Sequence, residues 1–259
     1  MPLPPVPDSF HWIDAPWGAA LRCRALDELA RHLFTTRQLS LTSGADYEQL
    51  AQAVGVTRVA TLTQVHGAAV SVVRQGVAPP PAPPEADALV SDSPDVALAV
   101  RAADCVPILI ADRLTGAVAA VHAGWRGTAA RAAVAALNAM AREYGTHPKN
   151  IVAAIGPSIG PCCYQVGSEL VDAFAAAGHE RYLIERWFST PPPPRGSRAR
   201  PQLRLNVAGA NRDQLILAGV PEGQIYDVGL CTAMHLDVLT SYRAEKESAG
   251  RIAGVIRCL

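Results

Sequence analysis

The chain has 259 residues, 49% hydrophobic and 18% charged, which supports a sizeable core and excludes a disordered chain. Lys plus Arg and Asp plus Glu both number 23, so no overall field draws the protein to nucleic acid or an anionic membrane. No apolar run reaches the roughly 18 residues of a membrane span, residues 1–7 lack the basic patch and apolar stretch of a signal peptide, and six cysteines fit reduced thiols; a cytoplasmic protein is expected.

In chain order, residues 1–20 are rich in proline and are expected on the surface. Residues 27–33 predict a short helix ahead of Phe34-Thr-Thr-Arg37. Residues 58–65 read as a strand-like run, and Pro79-Pro-Pro-Ala-Pro-Pro84, which cannot donate to a sheet ladder, predicts an exposed loop. Residues 88–90, 96–100, 106–111 and 117–121 predict short buried strands, with Asp112-Arg-Leu-Thr-Gly116 as a hairpin turn. Residues 128–144 are alanine-rich, apolar at spacings of three and four, and closed by Gly145, which predicts a helix. A strand at 151–155 leads into the rigid loop Gly156-Pro-Ser-Ile-Gly-Pro161. Ser168 caps a predicted helix that Gly178 stops after Ala177. A second low-complexity loop spans 191–201, a helix 206–218, and strands 224–228 and 252–256. This mixture of hairpins and helices predicts a single α+β domain rather than a doubly wound parallel sheet.

Three residues at the ends of strand-like runs carry most of the chemistry: His66, Cys105 and His122. Strands that end together can bring two imidazoles and a thiolate to one point, and that set would hold zinc with one coordination position open, as catalytic zinc requires. By spacing alone each residue also fits a plain role, the thiol as a small hydrophobe and the histidines as hydrogen-bonded core groups. Asp104 could orient a ligand or cap a turn. Cys162-Cys163 and the Cys231/His235 pair read as packing, and His11, His32, His147 and His179 as surface or loop residues.

Gln64-Val-His-Gly67, Ala103-Asp-Cys105, His122-Ala-Gly-Trp-Arg-Gly127, Gly156-Pro-Ser-Ile-Gly-Pro-Cys-Cys-Tyr164, Cys231-Thr232 and Ser241-Tyr-Arg243 stand in one order along the chain. In them it resembles the YfiH-like family, whose members are often labelled "laccase domain" or "polyphenol oxidase". The resemblance implies a CNF1/YfiH-like fold, with mixed β-sheets packed together and helices outside. It divides the chain into a proline-rich surface segment, 1–30, and a zinc-dependent catalytic domain, 31–259. It implies Zn2+ on His66, Cys105 and His122. The implied activity is purine nucleoside phosphorolysis, on adenosine, inosine, guanosine and methylthioadenosine, together with adenosine deamination.

Within the matching motifs, Cys105, His122 and Arg243 become the expected catalytic residues. Arg243, Arg37 and Arg126 are the candidates to grip phosphate, since a guanidinium fork meets two oxygens at once. Trp125 and Tyr164 are the candidates to face the base. Purine nucleosides and phosphate are the expected partners, with no nucleic acid or membrane, and the chain is expected as a monomer or weak homodimer. One alternative is a metal-free cysteine hydrolase that edits peptidoglycan precursors, with Cys105 as nucleophile and His122 or His66 as base. A copper polyphenol oxidase fits less well: seven histidines include no His-x-His pair.

Overall fold

A strand that is apolar at every position must be covered on both faces. The computed structural model, which describes residues 3–191 and 201–259, shows what covers these. In chain order come β1 (Phe10–Ala15), β2 (Gly18–Cys23), β3 (Ala30–Thr35), α1 (Gly44–Val54), β4 (Arg58–Ala60), β5 (Val70–Val72), β6 (Ala88–Ser91), β7 (Val96–Ala102), β8 (Val106–Asp112) and β9 (Val118–Ala123). Then follow α2 (Trp125–Ala129), α3 (Ala132–Tyr144), β10 (Ile151–Ile155), α4 (Glu169–Ala176), α5 (Arg181–Trp187), β11 (Phe188–Ser189) and β12 (Arg204–Leu205). The chain continues through α6 (Val207–Leu217), β13 (Ile225–Asp227), α7 (Tyr242–Glu245) and β14 (Ile252–Cys258).

Two six-stranded sheets, ordered β1-β2-β3-β14-β7-β4 and β13-β10-β8-β9-β6-β5, carry the fold. Successive side chains on a strand point to opposite faces, and the core divides accordingly. Leu98 and Val100 of β7 meet Leu109 and Ala111 of β8 in a layer between the sheets. Ala97 and Ala99 point the other way, toward Leu50 and Val54 of α1. Ile108 and Ile110 of β8 face Ala136 and Met140 of α3, with Phe174 and Trp187 beyond. The result is a mixed α+β domain of four layers, helix, sheet, sheet and helices, as expected. Among the described residues no helix is long and apolar enough to cross a membrane.

Several local expectations are corrected. Residues 10–23 form not a surface segment but the hairpin β1–β2, paired from Phe10↔Cys23 to Ala15↔Gly18, with Phe10 and Leu21 buried. The sequence signal was there, in two six-residue runs about a Pro16-Trp17 turn. Residues 30–35 are a strand rather than the end of a helix. The predicted helix over 128–144 is two helices, because Arg131 takes a left-handed conformation (φ 59°) between α2 and α3. Its guanidinium donates to the carbonyls of Ala177 and Gly178, partners that no local pattern reveals. The strand-like run before His66 is regular only over β4. The expected loop over 191–201 lies, for residues 192–200, outside the described residues.

His32 and His179 are buried rather than on the surface or in open loops. His32, on β3, is 2% exposed, and its Nε2 accepts from the Cys23 N–H at 2.9 Å. Burial lowers its pKa from 6.5 to about 4. The folded chain binds this proton less readily than the unfolded chain, so stability falls as pH drops through 6.5 toward 4. The loss attributable to His32 between pH 7 and pH 4 is expected to be on the order of 3 kcal/mol. Urea melts of wild type and His32→Gln at both pH values check this; equal pH sensitivity of the two proteins would refute it.

Candidate functional site

The ends of β7 and β9 and the turn after β4 converge at one edge of the sheets. His122 is the penultimate residue of β9 and is 3% exposed. Cys105 lies in the short turn between β7 and β8, and His66 is in an exposed turn. One donor atom from each lies within 4.8 Å of the other two, a spacing a single cation could bridge. The two imidazoles meet edge to face, with ring centroids 5.0 Å apart.

A buried carboxylate that the sequence reading missed organises these residues. Asp87, whose side chain is wholly buried, precedes β6. Its Oδ1 accepts from the His66 N–H at 2.9 Å and lies 2.9 Å from His122 Nδ1; its Oδ2 accepts from the Gly67 N–H at 2.6 Å. An ionised carboxylate only accepts, so His122 carries a proton on Nδ1 and presents Nε2 to Cys105. His66 is held at φ 62°, a costly region for a residue with a Cβ, and the Asp87 bonds offset that strain. Gln64 secures the same turn: its side chain donates to the Arg101 carbonyl and accepts from the Arg101 N–H, each at 2.8 Å. The Gln-Val-His-Gly segment is thus built to aim one imidazole.

Electrostatics follow from this packing. Burial opposes ionisation of Cys105, but hydrogen bonds with His122 and His66 outweigh it and lower the thiol to about 7. Burial likewise opposes a charged His122, yet the bonds to Asp87 and Cys105 win and raise it to about 9. Gly124 explains part of the His-Ala-Gly-Trp-Arg-Gly segment. A Cβ there would stand 2.8 Å from the Cys105 Sγ and 3.2 Å from the His66 Cδ2, so only glycine leaves the donors free.

Asp104 turns out to be a clamp. It sits at φ 84°; its Oδ1 accepts from the Thr232 hydroxyl and its Oδ2 from the Arg243 N–H, both at 2.6 Å. These bonds tie the Cys105 turn to the C-terminal segment that delivers Arg243.

Over this floor opens a cleft of about 1010 Å³, lined in part by Trp125, Tyr164, Arg126 and Arg243. Arg243 donates to the Gln165 carbonyl at 2.9 Å, and its guanidinium lies 5.3 Å from the centre of the Tyr164 ring. Arg126 lies over Trp125 at 4.3 Å. Arg101 and Arg251 also line the cleft, and sequence reading singled out neither. The structure does not bring Arg37 into this wall. Its guanidinium binds the Leu236 carbonyl and Glu245, the latter at 2.9 Å, which braces the loop ahead of α7. A second cluster, Cys162, Cys163 and Cys231, forms outside the cleft, where the sequence suggested separate packing residues.

Comparison with known proteins agrees with this architecture. A crystal structure of the hypothetical protein YfiH from Bacillus licheniformis superposes with a TM-score of 0.84, at 25% identity, covering 97% of this chain and 100% of that one. YlmD from Geobacillus stearothermophilus gives 0.78 at 30% identity, covering 97% and 99%. A Deinococcus radiodurans protein named purine nucleoside phosphorylase is 35% identical over 90% of this chain and 91% of its own length. A Bacteroides thetaiotaomicron protein of the same name is 37% identical over 64% of this chain, which spans only 58% of that relative. A protein from an unknown prokaryote named adenosine deaminase RL5 is 36% identical over 66% of this chain and 62% of its own length. Residues 42–259, and with them the cleft's two imidazoles and thiol, match the family described as multi-copper polyphenol oxidoreductase laccase, and the chain belongs to that family.

Proposed function

We propose that the chain is a zinc-dependent purine nucleoside phosphorylase with accompanying adenosine deaminase activity. The observation that carries the reading is a cleft with His66, Cys105 and His122 on its floor and four arginines along its walls. The names of its relatives point the same way. The donor set suits zinc: a thiol already lowered to about 7, two imidazoles, an Asp87 partner that fixes the His122 tautomer, and a glycine that keeps the space clear. Two imidazoles and one thiol on the floor are a poor match for a multicopper centre.

In phosphorolysis a phosphate oxygen bonds to C1′ while the bond from C1′ to the purine nitrogen breaks. The departing base keeps the electron pair and takes up a proton. Arg243, with Arg101, Arg126 and Arg251 nearby, supplies the positive field for the phosphate, and its guanidinium is oriented by the Gln165 carbonyl and the Tyr164 ring. Tyr164 and Trp125 offer aromatic faces for the purine. In deamination water adds at C6 and ammonia leaves; zinc on the three donors would supply a Lewis acid that brings a water's pKa toward neutrality.

The test is base release from inosine with and without phosphate. Release is expected to require phosphate and to yield one ribose 1-phosphate per base. Equal release in phosphate-free buffer would make the protein a hydrolase and end the phosphorylase reading. Purified protein is expected to hold about one zinc per chain, as a single three-ligand site requires.

A further inference from the structure

The loop after β10 and the segment after β13 meet beneath the cleft wall and bring three sulfurs together. Cys162, Cys163 and Cys231 each place Sγ within 4.8 Å of the other two, although Cys231 lies far along the chain. None of the three lines the cleft, and all are free thiols. We propose that Cys162, Cys163 and Cys231 form a second metal site, a trithiolate for a soft, thiophilic d10 cation, of which cuprous copper is the best fit.

Donor chemistry favours such an ion: three sulfurs without imidazole or carboxylate select soft metals, and three-coordination leaves cuprous copper saturated. Nearby groups are placed to steady sulfur once a metal has displaced its proton. The Gly160 N–H donates to the Cys231 Sγ at 3.2 Å, an outer bond of the kind that steadies metal-bound sulfur. A Cβ on Gly160 would stand 3.2 Å from both the Cys162 Sγ and the Cys231 Cβ, so glycine lets the loop lie close against the two cysteines. Arg204 donates to the Pro161 and Cys162 carbonyls and sets a positive charge beside the sulfurs, partly offsetting three thiolates. Cys162 is exposed, Cys163 half-buried and Cys231 buried, which gives an entry path with a protected base.

The site also stands where a cation would matter. Ser158 donates to the Leu230 carbonyl at 3.2 Å, Thr232 donates back to the Ser158 carbonyl at 3.0 Å, and the Thr232 hydroxyl holds Asp104. A metal bridging the two segments would pin the wall that carries Tyr164 and the clamp behind Cys105.

The test uses the full chain, reduced, stripped of metal, reloaded with one equivalent of zinc, and then titrated anaerobically with Cu(I) against a chromophoric Cu(I) chelator. Wild type is expected to retain one copper with a sulfur-only shell by X-ray absorption, and Cys162→Ser and Cys163→Ser to weaken retention at least ~100-fold, at or beyond the upper end for loss of an outer partner. A parallel titration with Zn(II) separates the two metals, since a second, all-sulfur zinc would identify zinc as the ion of the same site. Nitrogen in the copper shell, or undiminished retention by both serine variants, would overturn the site. Cys162 is exposed, so its variant is expected to keep the wild-type melting point when metal-free. The result is independent of the catalytic reading: a zinc-loaded chain inactive on nucleosides would still show, or fail to show, sulfur-bound copper.

Discussion

Asp87→Ala is expected to lower kcat/KM by more than about 100-fold and to reduce stability by roughly 3–5 kcal/mol, the range for breaking a buried charged pair. The carboxylate holds three N–H groups at once, from His66, Gly67 and His122, in a place that water does not reach. Alanine leaves all three unpaired, at about 1–3 kcal/mol each before relaxation. It also releases His66 from its left-handed turn and His122 from its tautomer. Asp87→Asn separates folding from function. Asparagine retains an acceptor for the Gly67 N–H, but with its amide N–H₂ in the place of Oδ1 it faces the His66 N–H and can donate to His122 Nδ1, which moves the ring proton to Nε2 and away from the geometry a metal needs. That variant is expected to fold, to lose most bound zinc and to fall at least 10-fold in activity. Melting curves, metal analysis and kinetics on the same preparations decide the matter; a fully active, fully loaded Asp87→Asn would remove Asp87 from this role.

The second large effect is that of Cys105→Ser. A hydroxyl ionises too weakly to replace the thiolate, so zinc and phosphorolysis are expected to disappear together, by more than the roughly 10–100-fold that an outer-shell change costs. A contrasting result has a clear meaning. The thiol is held at about 7 between two histidines, as a cysteine nucleophile would be. If Cys105→Ser keeps its zinc and loses only turnover, the reading of Cys105 as a nucleophile gains over its reading as a metal ligand. Gly124→Ala serves as a companion, because its methyl would crowd the Sγ without changing any donor. It is expected to reproduce a share of the metal loss.

The sheets were legible for a physical reason. β7, β8 and β9 are covered on both faces and so appear as unbroken apolar runs that need no long-range knowledge. β1 was hidden because it lies at a sheet edge, with Phe10 its one fully buried residue, and prolines nearby suggested loop. The three candidate donors were legible through their motifs, whereas Asp87 looked like any acid before a strand. Its partners are 20 to 35 residues away, beyond any local pattern. The same holds for the sulfur cluster, since Cys162-Cys163 reads as packing until Cys231 arrives from 71 residues past Gly160. Arg37 shows the opposite failure: its guanidinium suggested a grip on phosphate, while Glu245, distant in sequence, claims its charge.

β14 lies between β3 and β7, with Ile256 opposite both His32 and Leu98. The central seam of the first sheet therefore closes only when two very distant stretches of chain find a third, and such non-local pairing is slow. Until it happens, both neighbours present unpaired backbone, open to strand addition from other molecules. Refolding yield should accordingly drop with rising protein concentration, and the vulnerable species will be one in which the last strand has yet to insert.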